Sequence, residues 1–256
     1  MITQLLIVIA CLLVLGFIFV RRYLMVEKGI TLKSVFFRQK NIFRHREEED
    51  KLEITVEEMI PNSKEVDDKM IAKADSLIKK AEIVLKKGKP RDSEKMLIQA
   101  IAADPSSVEA YRKLGMLYLQ QSQYGKAESI YKKLVLTITD EPVLFSNLAL
   151  SLYHQKKLEE AKGHYKRAIE IDDSRAARFF SLANILYELQ EFDEALNHFK
   201  AAVAKDSGNI DYNITLAHFY VERAMIEDAK LLVEEILKID PENAEAQAIM
   251  QSLGSN

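Results

Sequence analysis

The side chains with most capacity for metal or nucleophilic chemistry are five histidines, His45, His154, His164, His198 and His218, and one cysteine, Cys11, in a chain of 256 residues. A zinc site needs three or four His, Cys or carboxylate ligands converging on one point. His164 and His198 are 34 residues apart; a metal site would need further ligands nearby, and the two are expected as surface side chains at equivalent places on an outer face. A lone cysteine excludes an intramolecular disulfide and a thiolate cluster. The sequence contains no His-Glu-x-x-His pair, no phosphate-binding loop and no Gly-x-Ser-x-Gly elbow. No catalytic residue, metal, cofactor or small-molecule substrate is therefore expected. What remains is chemistry of binding: amides, tyrosines and charges recurring at one spacing.

Composition fits that expectation. Apolar residues make up 48% and charged residues 29%, as in a folded protein with a solvated surface. Eight glycines, five prolines and no tryptophan argue against a turn-rich β fold, and the abundant Ala, Leu, Lys and Glu are strong helix formers. A net charge of −3 argues against nucleic acid as a partner by bulk electrostatics.

The elements that would position the binding side chains announce themselves by period. Ala127, Ala161, Ala195 and Ala229 are spaced by 34 residues, and so are Leu114, Leu148, Leu182 and Leu216. Small residues follow those leucines (Gly115, Ala149, Ala183, Ala217), and Tyr111, Phe145 and Phe179 precede the first three. Tyr131, Tyr165, Phe199 and Val233 follow the alanines by four. These columns resemble the tetratricopeptide repeat, a helix-turn-helix of the same period. The resemblance implies an all-α solenoid, a right-handed superhelix of helix pairs, with small residues where backbones approach closely. The frames are 108–141, 142–175, 176–209 and 210–243. A degenerate copy, 74–107, has Lys80 in the leucine column and Ser93 in the alanine column. A capping helix is expected over 244–253, with Ala246, Ile249, Met250 and Leu253 on one face. The solenoid domain is bounded at 64–253.

In that family the first helix of each pair lines a concave groove that takes peptides or partner helices. Transferred to this chain, the groove-facing candidates are Arg112, Lys113, Met116, Asn147, Tyr153, Phe180, Asn184, Tyr187 and His218. Asn147 and Asn184 suit the backbone of an extended peptide, and Tyr153 and Tyr187 offer flat amphipathic area. None of these four falls in a core column, so all four are expected free of the packing. Repeats that clamp chaperone C-termini use Lys and Asn, then Asn, then Lys and Arg. Here the slots around Asn147 hold Arg112, Met116, Ala177 and Ser181, so chaperone-tail binding is not expected. The resemblance implies a protein-binding scaffold that assists assembly of a membrane complex. Its rivals are a receptor of import or secretion machinery and a regulatory adaptor of an enzyme complex.

The membrane enters through the N-terminus. Of the nineteen residues 2–20, fourteen are Leu, Ile, Val or Phe. Nineteen residues at ~1.5 Å rise span about 28 Å, close to the hydrocarbon thickness. Residues 1–22 are thus expected to be a transmembrane signal anchor, ending at Arg21-Arg22. Residues 21–46 carry eight Arg or Lys and one acid, Glu27. By the positive-inside rule the N-terminus lies outside and the remainder in the cytoplasm. Tyr23, Phe36, Phe37 and Phe43 among those cations suit contact with anionic headgroups. Residues 23–63 form a linker that turns acidic at Glu47-Glu48-Glu49-Asp50 and is expected as a solvated spacer from 47 to 63.

Overall fold

A computed structural model describes residues 67–254, which are all-α. The apolar run 2–20, the basic stretch 21–46 and the acidic spacer 47–63 lie outside the described residues. Eleven helices follow in order: α1 Asp68–Lys86, α2 Pro90–Ala103, α3 Val108–Gln120, α4 Tyr124–Thr137, α5 Pro142–His154, α6 Leu158–Ile171, α7 Ala176–Glu188, α8 Phe192–Lys205, α9 Ile210–Glu222, α10 Ile226–Ile239 and α11 Ala244–Gly254. Among the described residues no helix is long and apolar enough to cross a membrane.

Helix starts keep the period because their punctuation does. First helices begin after Ser107, Glu141, Arg175, Asn209 and Asn243. Ser107, Asn209 and Asn243 accept a backbone N–H of the first turn in their side chains, satisfying donors that a helix start leaves free. Glu141 and Arg175 do not; α5 instead opens on Pro142, which has no N–H to satisfy. α1 departs from the pattern. It runs 19 residues from an Asp67 cap, against 13 or 14 for the other paired helices.

Within each pair the turn is closed by one left-handed residue: Gly88, Ser122, Lys156, Gln190 and Ala224, with φ between 56° and 72°. The residue after it donates back over the helix end, as from Gln123 N to Tyr118 O at 2.8 Å and from Met225 N to Tyr220 O at 2.8 Å. This Schellman closure satisfies carbonyls that a helix C-terminus leaves open. Only the first of the five turns uses glycine, the residue with no steric cost there.

The core is the set of columns. Ala127, Ala161, Ala195 and Ala229 are wholly buried between paired helices, as are Leu148 and Leu182. Gly115 is small for a visible reason: a Cβ on it would lie 2.9 Å from Tyr131 Cζ. Helices pack on their sequence neighbours, and α11 lies against both α9 and α10. That is the quasi-linear order of a solenoid, in which each unit covers the next. In the degenerate first pair Ser93 and Leu97 are buried in place of the alanine and aromatic columns, and Lys80 stays exposed.

Candidate functional site

The candidate binding residues fall on successive first helices, and the structure sorts them into two groups. Met116, Leu150, Asn184 and His218 form one column, at equivalent places on α3, α5, α7 and α9. Met116 is half exposed. Asn184 is part exposed and its side chain makes no hydrogen bond among the described residues. His218 is open on one side and meets Glu245 of α11 at 2.9 Å through Nε2. This column, carrying a thioether, an isobutyl group, an amide and an imidazole in turn, is the part of the face with groups free to meet a ligand.

The second group is tied into the solenoid. Tyr153 Oη donates to Glu188 at 2.5 Å, and Tyr187 Oη donates to Glu222 at 2.5 Å. Donors and acceptors are each one period apart, so the two bonds are rungs of one ladder joining α5 to α7 and α7 to α9. Lys156 adds a 2.7 Å ion pair to Glu188. The Tyr187 hydroxyl is pushed up to about 12 by its bond to Glu222, and burial first and then Glu188 raise that of Tyr153. Asn147 donates to Tyr131 Oη at 3.1 Å, and Phe180 stacks on Tyr212 at 4.4 Å. Arg112 pairs with Glu141, and Lys113 with Glu82 and with Glu109 at 2.9 Å. Of the four side chains expected free of the packing, only Asn184 is so. The period places a residue on a face but does not show its partner in the neighbouring repeat.

The two repeat-equivalent histidines also differ from expectation. Each lies half-buried with its ring against the aromatic that precedes a column leucine: His164 on Phe145 at 6.1 Å and His198 on Phe179 at 5.8 Å. Burial holds both imidazoles below their ordinary pKa, and does the same to His154, whose ring stacks on Tyr124 at 4.2 Å. Among the described residues no three His, Cys, Asp or Glu side chains gather to hold a metal ion.

Two buried charges carry no sequence signal. Glu128 is 8% exposed and accepts from Lys157 at 2.8 Å, Gln155 at 2.7 Å and Lys132 at 2.6 Å. Burial would raise its carboxyl, but these donors outweigh it and hold the pKa below the usual range. Arg178, 4% exposed, reaches back to Asp172 at the end of α6, 2.7 Å to the carboxylate, and that bond above all holds the Asp172 carboxyl far below its ordinary value. Arg178 has a different residue at its place in each of the other repeats, and Glu128 recurs only as Glu94, with Lys162, Leu196 and Lys230 in the later repeats, so no sustained period marks either.

Comparison with known proteins agrees with this geometry. Models of the tetratricopeptide repeat match residues 78–141 and 186–253, and one of anaphase-promoting complex, cyclosome, subunit 3 matches 120–202. Among solved structures, YrrB, described as a tetratricopeptide-repeat protein with an unusual peptide-binding site, superposes with a TM-score of 0.57 at 22% identity, covering 67% of this chain and 88% of YrrB. MamA from Desulfovibrio magneticus RS-1 gives 0.64 at 14% identity, covering 68% of this chain and 99% of MamA. In the Cut9-Hcn1 hetero-tetramer of the anaphase-promoting complex the match is 0.55 at 16% identity, covering 73% of this chain and 36% of the other. At these identities the likeness is one of fold. No curated protein sequence matches the chain.

Proposed function

We propose, from the premise that this chain carries tetratricopeptide repeats in an eleven-helix solenoid, that it is a membrane-tethered scaffold binding a partner protein on its first-helix face. The observation that carries the proposal is the column Met116, Leu150, Asn184 and His218. It offers different chemistry at each repeat, and three of its four helices, α5, α7 and α9, are joined by the Tyr153–Glu188 and Tyr187–Glu222 rungs. A face held rigid before binding loses little entropy on binding. An extended segment laid across it meets apolar side chains at the α3 and α5 end and polar ones at the α7 and α9 end. The peptide-binding description of YrrB accords with such a use of the fold.

The tether rests on the apolar run 2–20 and the eight cations of 21–46. They support a single-pass anchor with the N-terminus outside and the solenoid in the cytoplasm, its basic flank against anionic lipid. In intact cells a membrane-impermeant maleimide should leave Ser255→Cys unlabelled in a Cys11→Ser background; labelling at full rate overturns the orientation. The binding face is tested by a photo-crosslinking side chain placed at Asn184 or, as control, at Lys200 on α8. Capture of one discrete protein from Asn184 alone is expected, and equal capture from Lys200 overturns the assignment to the first-helix face.

A further inference from the structure

The two ends of the solenoid carry charge of opposite sign around an apolar centre. At the first end the centre is Ile83 on α1, 54% exposed. Its equivalents on the later first helices, Leu117, Ser151, Ile185 and Phe219, are between 0% and 4% exposed. The preceding helix pair covers that place, as Ala81 and Leu97 border Leu117. No pair precedes α1 among the described residues, so Ile83 has no such cover there. Lys79, Lys80, Lys86 and Lys87 stand three and four residues to either side of Ile83, which makes them its neighbours on the helix surface. All four are exposed, and the adjacent acid, Glu82, is held by Lys113 of α3.

The other end repeats the arrangement with the sign reversed. Leu231 on α10 is 64% exposed, and Glu227, Asp228, Glu234 and Glu235 stand three and four residues to either side of it. Lys230 and Lys238, the other charges of α10, lie outside this ring. Earlier pairs have a charged, polar or small residue in place of the leucine: Lys95, Ser129, Gly163 and Asn197. Glu234 and Glu235 stand where the three pairs before have Lys132 and Lys133, Lys166 and Arg167, and Lys200 and Ala201. Inside the solenoid such cations meet acids of the next repeat, Lys132 with Glu160 and Lys166 with Glu194. None of the eight charges around Ile83 and Leu231 makes a salt bridge among the described residues.

Eight helices separate α1 from α10, so the two patches meet only between chains. An apolar side chain framed by four lysines fits one framed by four carboxylates and repels its own kind. That complementarity makes a second copy of this chain the occupant. We propose that the chain self-associates head to tail, with the α1 patch of one copy on the α10 patch of the next. Such a contact is heterologous: each copy keeps one patch for a further neighbour, and the series closes as a ring or runs on as a row. It uses neither the column Met116, Leu150, Asn184 and His218 nor a partner protein, and so goes beyond the binding reading.

The test uses the full-length chain with Cys11→Ser in a nonionic detergent. Chains carrying Ile83→Cys and chains carrying Leu231→Cys are mixed under mild oxidation. The mixture should form a disulfide dimer roughly tenfold or more faster than either variant alone. Raising sodium chloride from about 0.01 M to about 1 M cuts the screening length from about 30 Å to about 3 Å, and should abolish the difference. Lys79→Glu, Lys80→Glu, Lys86→Glu and Lys87→Glu together on the first chain should also abolish it. Glu227→Lys, Asp228→Lys, Glu234→Lys and Glu235→Lys on the second chain should then restore it. Rescue separates lost pairing from misfolding, and the salt arm needs no charge variant, so it keeps the test valid if one fails to fold. Equal rates in all three samples, faster pairing of like cysteines, no change in salt, or loss without rescue at unchanged Tm would each overturn the proposal. So would protection of Ile83→Cys from maleimide by phosphatidylserine vesicles in the absence of any disulfide, which would give the α1 patch to a lipid surface.

Discussion

Glu128 is one carboxylate serving three donors at a junction between repeats. Removing it leaves Lys132, Lys157 and Gln155 to return to water, which two of them do readily because they are exposed lysines. Glu128→Ala should therefore cost about 1 to 3 kcal/mol, the range for hydrogen bonds to a charged group, measured by chemical denaturation at pH 7. The histidines give a different pH window. Burial lowers the pKa of His154, His164 and His198 in the folded chain below the ordinary 6.5. The unfolded chain then binds more protons below that pH, so stability is full above pH 6.5 and falls as the pH drops through it. Tm should decline between pH 7 and pH 5.5, above the range where carboxylates titrate, and His164→Phe with His198→Phe should flatten the decline. Side chains were the least legible level of this molecule. The face of Tyr153 followed from its spacing, but its acceptor, Glu188, sits 35 residues away on another helix, and no local pattern links the two.

Helix pairs were legible almost throughout, because what fixes them is periodic. Ala195 is wholly buried at a helix contact, so Ala195→Leu should overpack it and cost roughly 1 to 3 kcal/mol. Gly115→Ala should destabilise by a smaller amount, since its new methyl meets the rigid Tyr131 ring; thermal melts of both variants against the parent check the order. The turns were not legible. Four of the five left-handed positions carry Ser, Lys, Gln or Ala, which give no sign of positive φ. A left-handed L-residue costs about 1 to 2 kcal/mol, against which glycine sets its larger backbone entropy. Ala224→Gly should thus raise stability by up to about 1 kcal/mol, read as a higher denaturant midpoint at unchanged m-value. The long α1 escaped the period for a similar reason: Asp67, its cap, lies outside the repeat frame.

At the scale of the molecule, stability in a solenoid is a sum of units and of the contacts between neighbours. The Tyr153–Glu188 and Tyr187–Glu222 rungs are such contacts, and they join only α5, α7 and α9. The first repeats have no matching rung, since Leu119 occupies the tyrosine's place. Tyr153→Phe with Tyr187→Phe should weaken coupling in the C-terminal half and broaden the calorimetric transition of the full chain, leaving its helix content at low temperature unchanged. A single sharp transition identical to the parent's would show that the rungs carry no cooperativity. Fold class was written in the columns of the sequence. A cavity of about 100 Å³ beside Leu97, where later repeats carry a ring, was not, because a missing ring shows only when its neighbours are seen to close around the space.

The strict spacing of helix starts has a consequence for ancestry. From α3 to α11 both helices of a pair restart every 34 residues without an inserted loop. A duplication of that length in the gene, begun at any codon within the pairs, would therefore copy one start, one turn, one end and one set of small residues in correct phase. No new junction has to be invented, and the chain lengthens by one whole step. Reach along a partner is in this sense a counted quantity, altered by recombination rather than by point substitution.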